Sequence, residues 1–302
     1  MFLERVVPSP TVRAYLQRVM GYSLTGDTGE QALFLFYGTG ANGKSTFLNA
    51  VHAMLGDYAQ QSDFTTFLTK KHDGVRNDVA ELVGSRVVSA NEVEEGRRLS
   101  EPLVKQLPGG DIVKARRLYK ENFEFRPQFK LFLAASHVPN VRGTDHGFWR
   151  RVKLVPFTVT VPYSERDRGL PKKLDAELPG ILAWAVRGCL AWQEHGLEEP
   201  EEVRNATDLY REDMDVIGAF VGERCIVAPE EKVSANVLYA AYTAWCQENG
   251  EHPLSQKRLA PKLRERGFSD RASTGGRVSW FGIGLMPTAG PVSGPSALSG
   301  VI

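Results

Sequence analysis

The sequence predicts an α/β fold: a parallel sheet built round a phosphate-binding loop, with a small helix-and-hairpin domain behind it. Three observations carry this. Ala32 to Tyr37 is an unbroken apolar run, and the residues after it, Gly38-Thr39-Gly40-Ala41-Asn42-Gly43-Lys44-Ser45, fit G-x-x-x-x-G-K-[ST] at every fixed position. Two further strand-sized runs, Arg86 to Glu92 and Lys130 to Ser136, end in an acid and in small polar residues respectively. From Val233 the pattern changes to helix, helix, hairpin.

Each element has its reason. Val12, Tyr15, Leu16, Val19 and Met20 recur at spacings of three and four, so Val12 to Leu24 is an amphipathic helix in an N-terminal segment, residues 1–30. The run Ala32 to Tyr37 suits a strand buried on both faces. Phe47, Leu48, Val51 and Leu55 continue it as a helix. Strand, glycine loop and helix N-terminus together make a triphosphate cradle. Glycines bring backbone N–H groups close to the phosphates, and the helix dipole favours negative charge. The cradle is residues 38–46, namely Gly38, Thr39, Gly40, Ala41, Asn42, Gly43, Lys44, Ser45 and Thr46. Lys44 is expected to reach the β- and γ-phosphates of ATP, and the Ser45 hydroxyl to ligate Mg²⁺.

Tyr58 to Lys71 is polar and reads as a connection with a short helix, followed by a helical segment from Asn77 to Leu82. The second strand ends in Asn91-Glu92. Glu92 stands where such a site needs a carboxylate to hold Mg²⁺ and orient the attacking water, with Glu94 a weaker candidate. A solvated acidic turn would have the same composition. Arg98 to Leu107 is helical and stops at Pro108-Gly109-Gly110-Asp111. Ile112 to Tyr119 and Phe123 to Phe129 then form a hairpin. From Lys105 to Lys130 there are seven cations against three anions, and Tyr119 and Lys120 lie near the tip. That suits a nucleic-acid backbone, and equally an ordinary solvated hairpin. Ser136 closes the third strand within reach of a γ-phosphate, and Arg150-Arg151 lead into the apolar strand Val152 to Phe157.

In series, GTGANGKS, RVVSANEVEEG, LVKQLPGGDIVKARRLY, FKLFLAASHVP and FWRRVKLVPF resemble the superfamily-three helicase module of phage and plasmid primase-helicases, a family related to the poxvirus primase-helicase. The resemblance covers roughly residues 32 to 157 in order and spacing. It implies an AAA+-like P-loop ATPase core, residues 31–197, that hydrolyses ATP with Mg²⁺ and moves as a homo-oligomeric ring, usually a hexamer, on single-stranded or forked DNA. Under it, Arg116, Arg117 and Lys120 become DNA contacts and Ser136 the phosphate sensor. Arg151 becomes the finger that serves a neighbour's nucleotide, with Arg150 as its substitute. Ser136 departs from the family's usual asparagine. A primase is an implied partner, and the host cytoplasm the implied location.

Composition fits that picture. The chain has 302 residues, a net charge of +1 and three scattered cysteines without a C-x-x-C pair, which argues against a disulfide scaffold or zinc ribbon. The apolar runs are strand-sized, so no membrane partner is expected, and MFLERVVPSP is unlike a signal peptide. Residues 198–286 are read as an acidic connection and then a winged-helix domain. Glu198 to Glu231 holds eleven carboxylates and three arginines, whereas Ser255 to Arg277 holds seven cations and two acids. Helix, helix and hairpin with that charge suit DNA binding through the second helix and the wing, or a small protein-docking domain. The Gly/Pro/Ser-rich tail, residues 287–302, is expected to be disordered. Two rival functions fit the same residues: a DNA-stimulated ATPase loader that does not unwind, and a winged-helix DNA-binding regulator whose nucleotide site sets only its oligomeric state.

Overall fold

The computed structural model describes residues 2–70, 77–91, 97–117, 119–141, 146–272 and 277–287. Within it the chain divides into two compact units at Met214/Asp215.

The first unit is built on a five-stranded, wholly parallel sheet. Its strands are β1 (Leu33–Tyr37), β2 (Ala59–Gln61), β3 (Val87–Asn91), β6 (Lys130–Ala135) and β7 (Val152–Pro156), in the order β2-β3-β6-β1-β7. Between β3 and β6 lies a separate antiparallel hairpin, β4 (Val113–Arg116) and β5 (Asn122–Phe125). The strands carry continuous apolar runs because both faces are covered. Period-two alternation sends Leu33 and Leu35 into one core layer with Leu131, Leu133 and Phe148. Phe34 and Phe36 enter the other layer, where Phe34 stacks on Phe132 at 5.0 Å and Phe36 packs on Phe157 at 5.1 Å.

That second layer is closed by helices. They are α1 (Phe2–Val6), α2 (Pro10–Ser23), α3 (Lys44–Leu55), α7 (Leu170–Ala176) and α8 (Leu178–His195). Ser9 caps α2 by accepting from the Val12 N–H at 3.3 Å, with Pro10 in the first turn. Helices α2 and α8 cross at Gly21 and Gly188 with their backbones almost touching. A Cβ on Gly188 would stand 1.9 Å from the Gln17 carbonyl oxygen, and one on Gly21 1.9 Å from the Cys189 nitrogen.

Short helices α4 (Asn77–Ala80), α5 (Glu101–Gln106) and α6 (His146–Trp149) lie along the chain between these parts. The polar stretch after α3, read as a connection, supplies the edge strand β2, whose pairing with β3 composition did not reveal. The acidic segment from Glu198 is divided between the units. Its first helix, α9 (Glu201–Asp213), caps the exposed edge of β7, where Thr207 Oγ1 accepts from the Leu154 N–H at 2.9 Å and Tyr210 donates to the Pro139 carbonyl. The division therefore falls later than the 197/198 boundary read from composition.

The second unit holds α10 (Val216–Arg224), β8 (Cys225–Ile226), β9 (Lys232–Ser234), α11 (Ala235–Glu248) and α12 (Gln256–Glu265). After these come β10 (Ser269–Ala272), β11 (Val278–Phe281) and β12 (Gly284–Leu285). The expected helices and hairpin are present, and β9 adds a third strand in the order β10-β11-β9. Phe220, Leu238, Tyr242, Trp245, Leu263 and Trp280 form its core. Arg264 grips Asp270 through two bonds of 2.7 and 2.8 Å, and Arg266 pairs with Asp215, which caps α10. The remaining helix-α12 cations, Lys257, Arg258 and Lys262, are exposed or half-buried. Residues 288–302 lie outside the described part, as do Glu92 and Glu94. Among the described residues, no helix is long and apolar enough to cross a membrane.

Candidate functional site

The phosphate loop leaves β1 at Tyr37 and enters α3 at Lys44, as a cradle requires. Two glycines are dictated by space. A Cβ on Gly38 would fall 2.2 Å from both Asn42 Nδ2 and the Phe157 carbonyl oxygen. Gly43 has φ +85°, and a Cβ there would lie 2.7 Å from a methyl of Val6, so α1 packs directly against the loop.

Lys44 is only 6% exposed. Its ammonium donates to the Gly38 carbonyl and, at 3.1 Å, to Asn42 Oδ1. Burial pushes the lysine below its ordinary pKa. Asn42 Nδ2 donates in turn to the Phe157 carbonyl at 3.1 Å, and the Val161 N–H donates to the Ala41 carbonyl at 2.8 Å. The segment after β7 thus straps the loop from outside. From below, His52 of α3 bonds Ser89 of β3 at 2.8 Å, and burial holds the imidazole below its ordinary pKa.

Residues 40–46 line a cavity of about 230 Å³ together with Asn91, Ala134, Ala135 and Ser136. The structure therefore brings Lys44, Ser45, Thr46 and Ser136 together. It adds Asn91, which sequence reasoning passed over in favour of its neighbour Glu92. The only signal was its place as the last residue of a buried strand. Asn91 Oδ1 is shielded from solvent and has no hydrogen-bond partner among the described residues. A buried acceptor left so costs about 1–3 kcal/mol. With the Ser45 hydroxyl in the same cavity, this orphaned oxygen is the ligand type Mg²⁺ and its waters favour. Among the described residues there is no cluster of three or more His, Cys, Asp or Glu that could hold a metal without a nucleotide.

The two arginines stand elsewhere. Leu33 pairs with Val152 and Tyr37 with Pro156, so Arg150 and Arg151 lie at the far end of the sheet from their own cradle. Five strand residues separate the ends, about 16 Å. The Leu33 N–H donates to the Arg151 carbonyl at 2.7 Å, and the Arg151 guanidinium donates to the Gly147 carbonyl. Arg150, exposed, donates to Gln31 Oε1 at 2.6 Å.

In the hairpin Arg116 opposes Asn122, and Tyr119 at the tip has φ +58° and is 96% exposed. Arg116, Arg117 and Lys120 are exposed around it. The surrounding cations are committed to other partners. Lys114 pairs with Glu124 at 3.4 Å and Arg126 donates to the Gly110 carbonyl at 3.3 Å. Lys130, only 2% exposed, is turned inward. Its ammonium donates to the Thr25 carbonyl at 2.6 Å and sits 4.3 Å from the Tyr22 ring centre, and burial brings its pKa down to about 7.

The chain is similar to several known proteins. Residues 36–151 match a family of unknown function, DUF5906, and residues 212–274 match the family described as poxvirus D5 protein-like. "Putative helicase L207/L206" of Acanthamoeba polyphaga mimivirus is 30% identical over 82% of this chain and 28% of its own length. "Putative helicase 022R" of Frog virus 3 is 27% identical over 83% and 28%. "Putative primase C962R" of African swine fever virus is 21% identical over 82% and 28%. The chain thus spans little more than a quarter of these relatives. The solved apo structure of the NrS-1 C-terminal region is similar in fold, with a TM-score of 0.53 at 10% identity over 94% of this chain and 74% of that one.

Proposed function

The chain belongs to the primase-helicase family represented in the large DNA viruses, and on that premise we propose that it is an ATP-driven DNA helicase motor of the superfamily-three type, acting as a ring on single-stranded or forked DNA. One observation carries the reading. The cradle and the paired arginines lie at opposite ends of one parallel sheet, which supports a role for Arg151 at a neighbour's nucleotide rather than at its own. The site is then complete only between subunits, and a closed ring, such as a hexamer, completes every site.

In this mechanism the loop N–H groups and Lys44 hold the β- and γ-phosphates, while Ser45 and Glu92 would hold Mg²⁺. The ion, when bound, neutralises charge on the phosphate oxygens. Glu92 orients the attacking water and Ser136 donates to the γ-phosphate. Asn91 offers its acceptor to a water in the same cavity. Arg151 of the adjoining protomer stabilises charge as it moves to the leaving oxygen. Hydrolysis moves the hairpin, whose Arg116, Arg117 and Lys120 track a DNA backbone. The motor is the first unit, through Met214, and the second unit supplies a winged-helix DNA contact through the exposed cations of α12. A primase is the expected functional partner.

The test is ATP-dependent strand displacement on a forked duplex, with Lys44→Ala as the inactive control. ATPase stimulated by single-stranded DNA without displacement would mean a loader or switch. In DNA binding, each of Arg116→Ala, Arg117→Ala and Lys120→Ala is expected to reduce the log K against log salt slope by about 0.7, the value for one phosphate contact on a single strand. An unchanged slope in all three removes the hairpin from the DNA path.

A further inference from the structure

The groups suited to hydrolysis, Asn91 and Ser136, line the cavity on the side of β3 and β6. In the sheet order β3-β6-β1-β7, the phosphate loop of β1 has that chemistry on one flank and β7 on the other. With the terminal phosphate on the β6 flank, the β7 flank is the side of the loop left for the nucleoside. That flank is formed by the strap of residues 157–166, tied to the loop at Asn42–Phe157 and Ala41–Val161.

Tyr163 begins the short 3₁₀ turn Tyr163–Glu165, two residues beyond Val161, which is at most about 7 Å of chain. The residue is 74% exposed. An exposed ring is ordinarily mobile, but this one is held. The Arg166 guanidinium lies 5.7 Å from the ring centre, and Arg166 Nε donates to the Val161 carbonyl at 3.1 Å. Arg168 donates to the Tyr163 hydroxyl at 3.2 Å. Glu165, ending the turn, pairs with Arg5 of α1, the helix whose Val6 packs beneath Gly43. The ring is thus held within its own segment, which is tied to the loop at Val161 and to α1 at Glu165.

We infer that Tyr163 is the stacking platform for the nucleobase of the bound nucleoside triphosphate, with the strap and α1 as its frame. The inference rests on the cradle reading above and gives the site its nucleoside half. A stacking face without hydrogen-bonding groups tolerates any base, so it supplies affinity more than base selectivity.

Calorimetric titration of the full chain with ATP and with inorganic tripolyphosphate separates the two halves. Tyr163→Ala is expected to bind ATP about tenfold more weakly, in the range of a lost base–aromatic stack, and to bind tripolyphosphate as the parent does. Tyr163→Trp should restore ATP affinity. Unchanged ATP affinity in Tyr163→Ala overturns the inference, and so does an equal loss for both ligands, which would make Tyr163 a support of the loop. The cradle reading fails in a different way: the parent binds neither ligand, or Lys44→Ala binds both as well as the parent does. In either case the platform falls with it.

Discussion

Lys44 donates to Asn42 Oδ1 at 3.1 Å, so the lysine of the phosphate loop is held by a residue of its own loop. Asn42, 3% exposed, passes the tie on to the Phe157 carbonyl. Removing its amide leaves that carbonyl without its donor and the ammonium without one acceptor. Asn42→Ala is expected to lower unfolding stability by about 1–3 kcal/mol, the cost of a buried unsatisfied group, read by denaturant titration. Nucleotide affinity should fall with it, because the strap no longer braces the loop. A variant as stable as the parent would show the tie to be dispensable.

Lys130 sets a pH dependence. Its pKa falls from the ordinary 10.5 to about 7 on folding, through burial. Between those values the unfolded chain binds the proton and the folded chain releases it, so the unfolded state holds more protons. Stability from this group therefore rises with pH above about 7, at no more than about 1.4 kcal/mol per unit, and the full penalty is present below it. The bonds to Thr25 and the Tyr22 ring favour the ammonium and act against that slope. Lys130→Met should flatten the curve between pH 7 and 10, measured by urea unfolding at several pH values. A slope identical to the parent's would place the proton release elsewhere.

The crossing of α2 and α8 admits no side chain. Gly188→Ala and Gly21→Ala must each drive the helices apart or bend them, because the atoms met first are backbone. Overpacking of this kind costs about 1–3 kcal/mol. Each variant should lose that much stability in thermal or urea unfolding.

Complementation tests the shared site. Lys44→Ala and Arg151→Ala are each expected to hydrolyse ATP at a small fraction of the parent rate. A mixture of the two forms some junctions with an intact cradle facing an intact arginine, and it should recover part of the activity. Isolated monomers should turn over very slowly. Equal activity per subunit in monomers and oligomers would refute the proposal.

Much of this was legible in residue order. LFLFY read as a strand covered on both faces, which it is, and the loop after it read as a phosphate cradle. The hairpin followed from two strand-like runs on either side of a short polar turn, and in the structure Val113 and Ala115 are buried between exposed Lys114 and Arg116. What stayed hidden depends on contacts between distant segments. Nothing local marks Ala59–Gln61 as a strand, since its stability comes from pairing with β3. Charge counting made Lys130 one more cation of a basic stretch, whereas its ammonium is buried on Thr25 and Tyr22. Asn91 was overshadowed by the acid beside it, and Tyr163 by its distance in sequence from the loop it neighbours through Val161.

The separation of Arg151 from its own cradle also has a consequence for arithmetic. A linear stack of protomers leaves one pocket at one terminus unserved and one guanidinium at the other idle, so specific activity climbs with stack length and levels off. Closure abolishes both loose ends at once. A step in turnover at the moment of closure, with no change in the number of subunits, would be the signature of that geometry.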